Sequence, residues 1–413
     1  MKSQTHATVC YIITICKSTY RAFKLILKIV LGLTAVLLLI YFVISSLDNN
    51  KAKTFQSISL ESAHSNNSTV ILFWNGFFDD NRWTLPADTL NVQCPLINCI
   101  LTNQHAYLPS IVDYAAIVFH TARPFPLFNG RPRQRAAHQW YIFSQLESPA
   151  HTWHNFYEES EFYNLTMSYR LDSDIVWSYN SIRDSATNQV VAPVLKPQWR
   201  KVDAKWTQND SDLLASIKRK NKLAVWFVSN CKVQSKRERL VKHLQAHLNT
   251  GIDVYGKCGP LRCERSNSSC YEMLDTDYKF YLSFENSLCI DYVTEKFYNA
   301  LQRHIVPVVY GGANYSKFAP PLSYIDVQDF KNVSELAAHL IYLDKNPLEY
   351  AKYFWWRRHY TIMSFDGGLQ TIPYCSLCER VTSHPAMRRL EIYEDINAFW
   401  SYNACYAVPR IQF

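Results

Sequence analysis

The chain has 413 residues, enough for a membrane anchor and two domains of ordinary size. Its formal net charge is +8, but five lysine and arginine residues precede the first acidic residue, Asp48, so only +3 remains for the rest. That charge is too small for the basic surface of a nucleic-acid-binding protein, and no nucleic-acid partner is expected.

An uncharged apolar run of nineteen residues occupies positions 29–47 and is long enough to span a bilayer. The basic residues lie before this run, so the positive-inside rule predicts a cytosolic tail at 1–28 and a signal-anchor helix at 29–47. Everything after the anchor is then on the far side of the membrane. A cleaved signal peptide is the alternative, which the long basic leader and the lack of a small-residue cleavage site disfavour.

Glycosylation signals and cysteines agree with this topology. Ten of the twelve cysteines follow the apolar run, and an even number suits a disulfide framework in an oxidising compartment. Cys94 and Cys99 pair either with each other or with the distant Cys375 and Cys378. The N-x-S/T sequons all follow the run as well, at Asn66, Asn67, Asn164, Asn209, Asn267, Asn314 and Asn332.

Residues 48–68 are polar and turn-rich and predict a short stem, and a first α/β domain is assigned to residues 69–205. Glu147 comes directly after an aromatic strand, the favoured position for a catalytic group in an open α/β sheet. On local sequence alone, a solvated loop glutamate is the simpler interpretation. The predicted strands of this domain are 70–74, 115–120 and 140–145.

Two acidic triplets, Asp172-Ser173-Asp174 and Asp275-Thr276-Asp277, have the DxD pattern. In one large class of glycosyltransferases such a triplet holds a divalent metal on a nucleotide diphosphate. Because DxD triplets are also frequent by chance, the pattern alone does not assign a metal site.

A polar, lysine-rich connector at 186–222 leads into a second α/β domain, assigned to residues 206–363 and followed by a C-terminal segment, 364–413. An aromatic-basic helix near the end of this domain is expected to pack, with its arginines reaching solvent. The predicted strands are 223–228, 252–255, 280–284, 305–310 and 323–327, and the predicted helices include 235–248, 336–343 and 352–360.

Two cations in this domain lie where a helix begins, the end that disfavours positive charge. Arg237 is near the start of one helix, and Lys296 is in the first turn of another, which Thr294 is expected to cap. Both placements suit the binding of an anion such as a phosphate. A solvated pair of Glu295 with Lys296 is the competing interpretation.

Several longer motifs carry a resemblance. FVSNC, VYGKCG, YKFYLSFENSLCIDYVTEKFYNAL, VPVVYGGANY, the ESP at 147–149, RLDSDI at 170–175 and the CxxC at 375–378 closely resemble the α1,3-fucosyltransferases of glycosyltransferase family 10. The similarity covers roughly residues 69–380, and the sequence looks like an invertebrate member. Family members are single-pass type II proteins of the Golgi membrane, in agreement with the predicted anchor.

The resemblance implies a GT-B fold, in which two Rossmann-like domains face a cleft. It implies inverting transfer of fucose from GDP-β-L-fucose to the 3-hydroxyl of a GlcNAc in glycoprotein glycans. The acceptor is expected mainly on the first domain and the donor on the second. No metal cofactor is expected, because protein cations neutralise the diphosphate in such enzymes, and RLDSDI is expected to be structural.

The resemblance also implies roles for individual residues. Glu147 is the expected general base, and Arg237 and Lys296 are expected to bind the diphosphate. Glu295 is expected to contact the fucose hydroxyls and to support charge developing on the ring. The remaining donor-site residues are expected to be Asn286 and Tyr292 around fucose and phosphate, and Ser229 and Tyr281 nearer the nucleotide.

Two questions stay open at this point. The acceptor GlcNAc is either the innermost residue of an N-glycan core or part of an antennary N-acetyllactosamine. The alternative to an enzyme is a Golgi membrane protein that binds fucose or glycans without turnover, although retention of Glu147, Arg237, Glu295 and Lys296 argues against it. Cys231 departs from vertebrate relatives, which often have an aromatic residue there, and this bears only on the local disulfide pattern.

Overall fold

The computed structural model describes residues 68–78, 94, 98–122, 130–152, 155–248, 251–263, 269–363, 372–383, 392–406 and 411. The chain divides into two units, 1–67 and 68–413, and every described residue belongs to the second. The predicted tail and anchor, and the predicted stem except its last residue, lie outside the described residues. In the described part of the chain, no helix is both long and apolar enough to cross a bilayer.

The first half is built on a six-stranded parallel sheet with the strand order β2-β1-β3-β4-β5-β6. All six residues of β4 are buried, as expected for a parallel strand covered on both faces. The three predicted strands are confirmed as β1, β3 and β4, and three strands were not predicted. The strands are β1 Thr69–Phe73, β2 Cys99–Thr102, β3 Ala116–His120, β4 Trp140–Gln145, β5 Leu165–Ser168 and β6 Ile175–Val176.

The second half contains a five-stranded parallel sheet with the order β10-β9-β11-β12-β13. Its central strand β11 is buried along its whole length. The five strands predicted for this domain are confirmed, with bounds shifted by up to two residues. They are β9 Lys222–Phe227, β10 Ile252–Tyr255, β11 Tyr278–Phe284, β12 Val306–Tyr310 and β13 Ile325–Asp326.

Helices cover this second sheet, and side-chain caps define several of their starts. Thr294 caps the helix after β11, as predicted, and Asn332 caps the longest one by accepting from the Glu335 amide. The aromatic-basic segment forms a 3-10 helix, Lys352–Arg358, rather than an α-helix. The α-helices are α1 Lys205–Asn209, α2 Ser211–Arg219, α3 Arg237–His247, α4 Ser269–Thr276, α5 Glu295–Leu301, α6 Val333–Lys345 and α7 Pro347–Ala351.

The predicted connector at 186–222 is more structured than its polar composition indicates. It contains α1, α2 and a strand, β8 (Val190–Ala192), of a small antiparallel sheet. In this sheet β7 (Ile182–Asp184) lies between β8 and β14 (Tyr360–Ile362), so it joins residues from both predicted domains. Pairing of β8 with the neighbouring β7 therefore orders part of a segment that lacks a periodic apolar pattern.

The C-terminal segment returns to the first half. Helix α8 (Ile372–Ser383) packs its buried Tyr374, Leu377 and Val381 into the core of the six-stranded sheet, and α9 (Ile396–Trp400) adds Trp400. Disulfides fix this return, because Cys375 and Cys378 of the CxxC pair with Cys94 and Cys99 rather than with each other. The five pairs are Cys94–Cys375, Cys99–Cys378, Cys231–Cys258, Cys263–Cys270 and Cys289–Cys405.

The first acidic triplet is engaged by protein groups. Asp172 forms an ion pair with Arg170, at 2.6 Å between Oδ2 and Nη2. Asp174 accepts hydrogen bonds from the Thr166 amide at 2.8 Å and from the Tyr393 hydroxyl at 2.9 Å. These contacts connect β5 to the C-terminal segment and are consistent with the structural role that the resemblance implied.

The second triplet is also engaged. Asp275 accepts from the Arg303 guanidinium at 2.9 Å and from the His304 amide at 2.6 Å, which ties α4 to the turn after α5. Burial acts to raise the pKa of Asp275, but the hydrogen bonds from His304 and Arg303 outweigh it and lower the pKa to about 2. The carboxylate is thus stabilised in its ionised form in the fold.

We predict that Asp275→Asn lowers the free energy of unfolding at neutral pH by about 1–3 kcal/mol, because charge-assisted hydrogen bonds are lost. A depressed pKa stabilises the fold above the pKa of the unfolded chain, and that stabilisation disappears as pH falls through about 2. The wild-type advantage in urea unfolding should therefore shrink between about pH 4 and pH 2. Asp277→Asn is the control, since among the described residues its carboxylate accepts a hydrogen bond only from its neighbour Thr276; equal losses in both variants would contradict the prediction.

Candidate active site

A cavity of about 720 Å³ lies where strands of the two large sheets end. Residues following β4 line one side of it, and residues following β9 and β11 line the other, as expected for ligands at the carboxyl ends of parallel strands. The structure brings together all the residues predicted for the site. Those lining the cavity are Glu147, Ser229, Arg237, Tyr281, Asn286, Tyr292, Glu295 and Lys296.

The ammonium group of Lys296 is surrounded by three oxygen atoms. Its Nζ lies 2.8 Å from Thr294 Oγ1, 3.0 Å from Glu295 Oε1 and 3.3 Å from Glu285 Oε2. Burial acts to lower the pKa of Lys296, but the charges of Glu285 and Glu295 outweigh it, and the net pKa is raised. Lys296 therefore carries a positive charge at the cavity wall.

Glu295 is the more exposed partner of this lysine, with 54% of its side chain accessible against 0% for Glu285. Burial acts to raise the pKa of Glu295, but the charge and hydrogen bond of Lys296 outweigh it, and the net pKa is lowered. The solvated Glu295–Lys296 pair considered from the sequence does form. It forms at the cavity wall, beside a second carboxylate that is fully buried.

Arg237, the first residue of α3, is the second cation at the cavity and is 3% exposed. Its guanidinium donates to the carbonyl oxygens of Phe284 at 2.6 Å and Asn230 at 3.1 Å, which lie at the ends of β11 and β9. Burial lowers its pKa. Among the described residues, nothing accepts a hydrogen bond from its Nε atom. Backbone carbonyls thus fix this charge between the two strand ends.

Glu147 reaches the cavity from the end of β4. The Glu147 amide donates to Oε1 of the buried Gln145 at 3.0 Å, which fixes the turn after the strand. The carboxylate oxygen Oε2 accepts a hydrogen bond from the Tyr292 hydroxyl at 3.2 Å. Burial raises the pKa of Tyr292 well above its ordinary value, so this hydroxyl stays a donor. A carboxylate of the first half is therefore oriented by a residue of the second half.

A second contact joins the same two loops. Ser148 Oγ donates to Ser287 Oγ at 2.7 Å, and Ser287 Oγ donates in turn to Asn286 Oδ1 at 3.1 Å. Ser148 and Ser287 are both fully buried. The loop that carries Glu147 is thus hydrogen-bonded to the loop that carries Asn286.

Aromatic side chains form one wall of the cavity next to Ser229. Tyr281 packs edge-to-face on Phe227, at 5.7 Å between ring centroids. Gly256, with φ of +103°, allows the backbone to pass close to Ser229, because a Cβ there would lie 2.4 Å from the Val228 carbonyl oxygen. Apolar rings beside polar loop ends are typical of a small-molecule site.

Sequence reasoning assigned no role to several residues of the site. Glu285 lies behind the cavity wall and pairs with Lys296 at 3.3 Å, and its position directly after a buried strand was a usable signal. Tyr179, which donates to the Leu146 carbonyl at 2.7 Å, has no such signal, because it lies in no strand or helix. The other unassigned lining residues include Phe77, Trp177, Phe227, Tyr255 and Tyr271.

The site combines a carboxylate able to accept a proton with two cations able to bind an anion, about one cavity. Within the ranges that the structure describes, no group of three or more histidine, cysteine, aspartate or glutamate side chains is arranged to hold a metal ion. The chemistry of this side-chain set fits proton abstraction together with stabilisation of an anionic leaving group.

Two family models match the chain. Residues 217–400 match the C-terminal domain of glycosyltransferase family 10 (fucosyltransferase), and residues 66–180 match the fucosyltransferase N-terminal domain. The cavity residues fall within the two matched regions.

Similar proteins cover most of the chain. It is 43% identical over 397 residues to alpha-(1,3)-fucosyltransferase C of Drosophila melanogaster, covering 94% of this chain and 91% of that protein. It is 33% identical to alpha-(1,3)-fucosyltransferase fut-1 of Caenorhabditis elegans, over 80% of this chain and 69% of the relative. A crystal structure of an alpha1,3-fucosyltransferase with GDP-fucose aligns with a TM-score of 0.45 and 16% identity, over 80% of this chain and 95% of that one. By its two matched domains and its relatives, the chain belongs to glycosyltransferase family 10, the fucosyltransferases.

Proposed function

We propose that the protein transfers L-fucose from GDP-β-L-fucose to the 3-hydroxyl of a GlcNAc residue in glycoprotein glycans. The observation that carries this proposal is the single cavity lined by Glu147 from the first half and by Arg237, Glu295 and Lys296 from the second. Names of relatives such as alpha-(1,3)-fucosyltransferase C support the linkage.

In this reaction the acceptor oxygen attacks the anomeric carbon of fucose from the face opposite the diphosphate. The new glycosidic bond forms as the bond to GDP breaks, GDP leaves with the bonding electrons, and the configuration inverts from β to α. Glu147 takes the proton of the attacking hydroxyl. The hydrogen bond from Tyr292 holds the carboxylate toward the cavity in preparation for this step.

The positive charges of Arg237 and Lys296 stabilise the departing diphosphate. The transition state resembles an oxocarbenium ion, so no enzyme nucleophile is needed. Glu295 lies next to Lys296 at the cavity wall and is placed to contact the fucose and to offset positive charge on its ring.

The two halves are proposed to be the two Rossmann-like domains of a GT-B enzyme. Residues 69–205 form the acceptor side and residues 206–363 the donor side. Each half has its own parallel sheet, and the donor-side cations all come from the second. The contribution of α8 to the first core adds part of the C-terminal segment to the acceptor side.

Transfer is proposed to need no metal ion, since two protein cations line the site. The protein is further proposed to be a single-pass type II protein of the Golgi membrane, anchored by residues 29–47. The sequons after the anchor and the five disulfides support a lumenal position for the catalytic part.

The decisive test is transfer of labelled fucose by residues 48–413 in the presence of EDTA. A trimmed N-glycan core and N-acetyllactosamine are offered in parallel, so that the result also identifies the acceptor. We expect transfer to one of them at a rate that EDTA does not change. Transfer abolished by EDTA and restored by a divalent metal would contradict the metal-free mechanism, and GDP binding without transfer to either acceptor would favour a binding protein.

We predict that Glu147→Gln reduces the transfer rate by about 10²- to 10⁴-fold, because an amide cannot take the acceptor proton. The affinity for GDP, measured by titration calorimetry, should stay near that of the wild type. Glu158→Gln is the control, an exposed glutamate of the same half outside the cavity lining. Residual transfer close to the wild-type rate would remove Glu147 as the base.

We predict that Lys296→Ala weakens GDP binding by about 10- to 100-fold, because the diphosphate loses a charge-assisted hydrogen bond. The substitution also leaves Glu285 without its cation, so stability must be measured separately. Lys279→Ala is the matched control, since Lys279 is similarly buried and pairs with Asp344 at 2.6 Å but does not line the cavity. Both variants should lose stability, and unchanged GDP affinity in Lys296→Ala would refute the role.

A further inference from the structure

A buried carboxylate lies directly behind the donor side of the cavity. Glu285 follows the last residue of β11 and is 0% exposed, and it does not itself line the cavity. A buried carboxylate is costly unless it is paired and hydrogen-bonded. Its contacts therefore indicate what it holds in place.

Among the described residues, the hydrogen bonds and the ion pair of the Glu285 side chain are all with the start of α5. Oε1 accepts from the Thr294 amide at 2.8 Å, and the Thr294 hydroxyl lies 3.0 Å from Oε1 and 2.9 Å from Oε2. Oε2 is 3.3 Å from Lys296 Nζ, which also donates to the Thr294 hydroxyl. Glu285, Thr294 and Lys296 thus form one closed network.

The surroundings of Glu285 offer it little other compensation. The charge of Glu285 also acts on Arg237, but the guanidinium of Arg237 donates its hydrogen bonds to backbone carbonyls. Burial raises the pKa of Glu285, the charge of Lys296 opposes this and the like charge of Glu295 adds to it, so the net pKa is raised. The charge of Glu285 also contributes to raising the pKa values of five tyrosines, Tyr179, Tyr281, Tyr292, Tyr298 and Tyr315.

An ammonium group has three N–H donors, and Lys296 has three oxygen neighbours within 3.3 Å. An incoming diphosphate must therefore displace one of them. Releasing Glu285 would leave a buried charge without its cation, which is strongly destabilising. Releasing Glu295 costs little, because 54% of its side chain already faces solvent.

We propose that Glu285 is a positioning residue that holds the Lys296 ammonium charged and fixed at the cavity wall. When the donor binds, its diphosphate replaces Glu295 as a hydrogen-bond partner of Lys296. This inference rests on the proposed function for the identity of the anion. The exchange links donor binding to the release of the Glu295 carboxylate toward the sugar. Lys296 then neutralises the leaving group, and Glu295 is free to contact the fucose.

A purely structural role for Glu285, as an anchor for the Thr294 cap, predicts a different result. Glu285→Gln keeps the size of the side chain and an oxygen able to accept from Thr294, but removes the charge. The pKa of Lys296 then separates the two roles, since an opposite charge within about 4–6 Å shifts a pKa by about 1–3 units.

The experiment measures the reaction of Lys296 with an amine-selective acylating reagent as a function of pH, by mass spectrometry of the digested protein. Lys296 is 20% exposed, so the reagent has access. In Glu285→Gln the labelling midpoint of Lys296 should fall by at least about one pH unit relative to wild type. Glu349→Gln is the control, because Glu349 pairs with Lys352 on the surface at 2.7 Å and outside the cavity lining. It should leave Lys296 unchanged.

An unchanged Lys296 midpoint in folded Glu285→Gln would overturn the proposal. Protection of Lys296 from acylation when GDP is added to the wild type tests the proposed function separately. A fall in the midpoint of Glu285→Gln without GDP protection in wild type would support the positioning role and contradict the donor site.

Glu295→Gln keeps the proposal testable if Glu285→Gln does not fold, because Glu295 is exposed. Its Lys296 midpoint should stay within about one pH unit of the wild-type value, since Glu285 remains in place. GDP should bind several-fold more tightly than to wild type, because the competing carboxylate is neutral. Weaker GDP binding, or a Lys296 midpoint that falls by more than about one pH unit from the wild-type value, would overturn the proposal.

Discussion

The pairing of buried Glu285 with Lys296 is the interaction on which the second-half wall of the cavity depends. A carboxylate at 0% exposure has no water to stabilise it, so its position is acceptable only while Thr294 and Lys296 supply hydrogen bonds and charge. The same contacts cap α5 and fix the end of β11. Strand end, helix start and cationic side chain are therefore one cooperative unit rather than three separate features.

The Glu147 carboxylate on the other side of the cavity depends on the same part of the chain as well. Two residues of the loop between β11 and α5 make this connection. The Tyr292 hydroxyl donates to Glu147, and the Ser287 hydroxyl accepts from Ser148. The loop after β4 is therefore set by the second half of the chain. The return of α8 to the first sheet, held by two disulfides, adds another connection between distant parts of the sequence.

Much of the fold could be predicted from local patterns. Buried strands such as β4 and β11 have continuous apolar and aromatic runs, and Thr294 has the composition and position of a helix cap. The three-residue strands β7 and β8 lack such runs and were missed. They are stabilised by pairing with each other, and β7 also pairs with β14. The residues of the site were found through motifs. Spacing alone left a simpler, non-functional interpretation for both Glu147 and Lys296.

By itself, the sequence determined the residue types, the two parallel α/β sheets and the motifs that place the chain among the fucosyltransferases, because these depend on short segments read in order. Only the tertiary structure decided which cysteines pair, that Glu147 meets Tyr292, and that the charge behind Lys296 is Glu285 rather than Glu295 alone. Those outcomes depend on distances between residues far apart in the chain and on how completely each charge is removed from water. Neither quantity is encoded in local sequence.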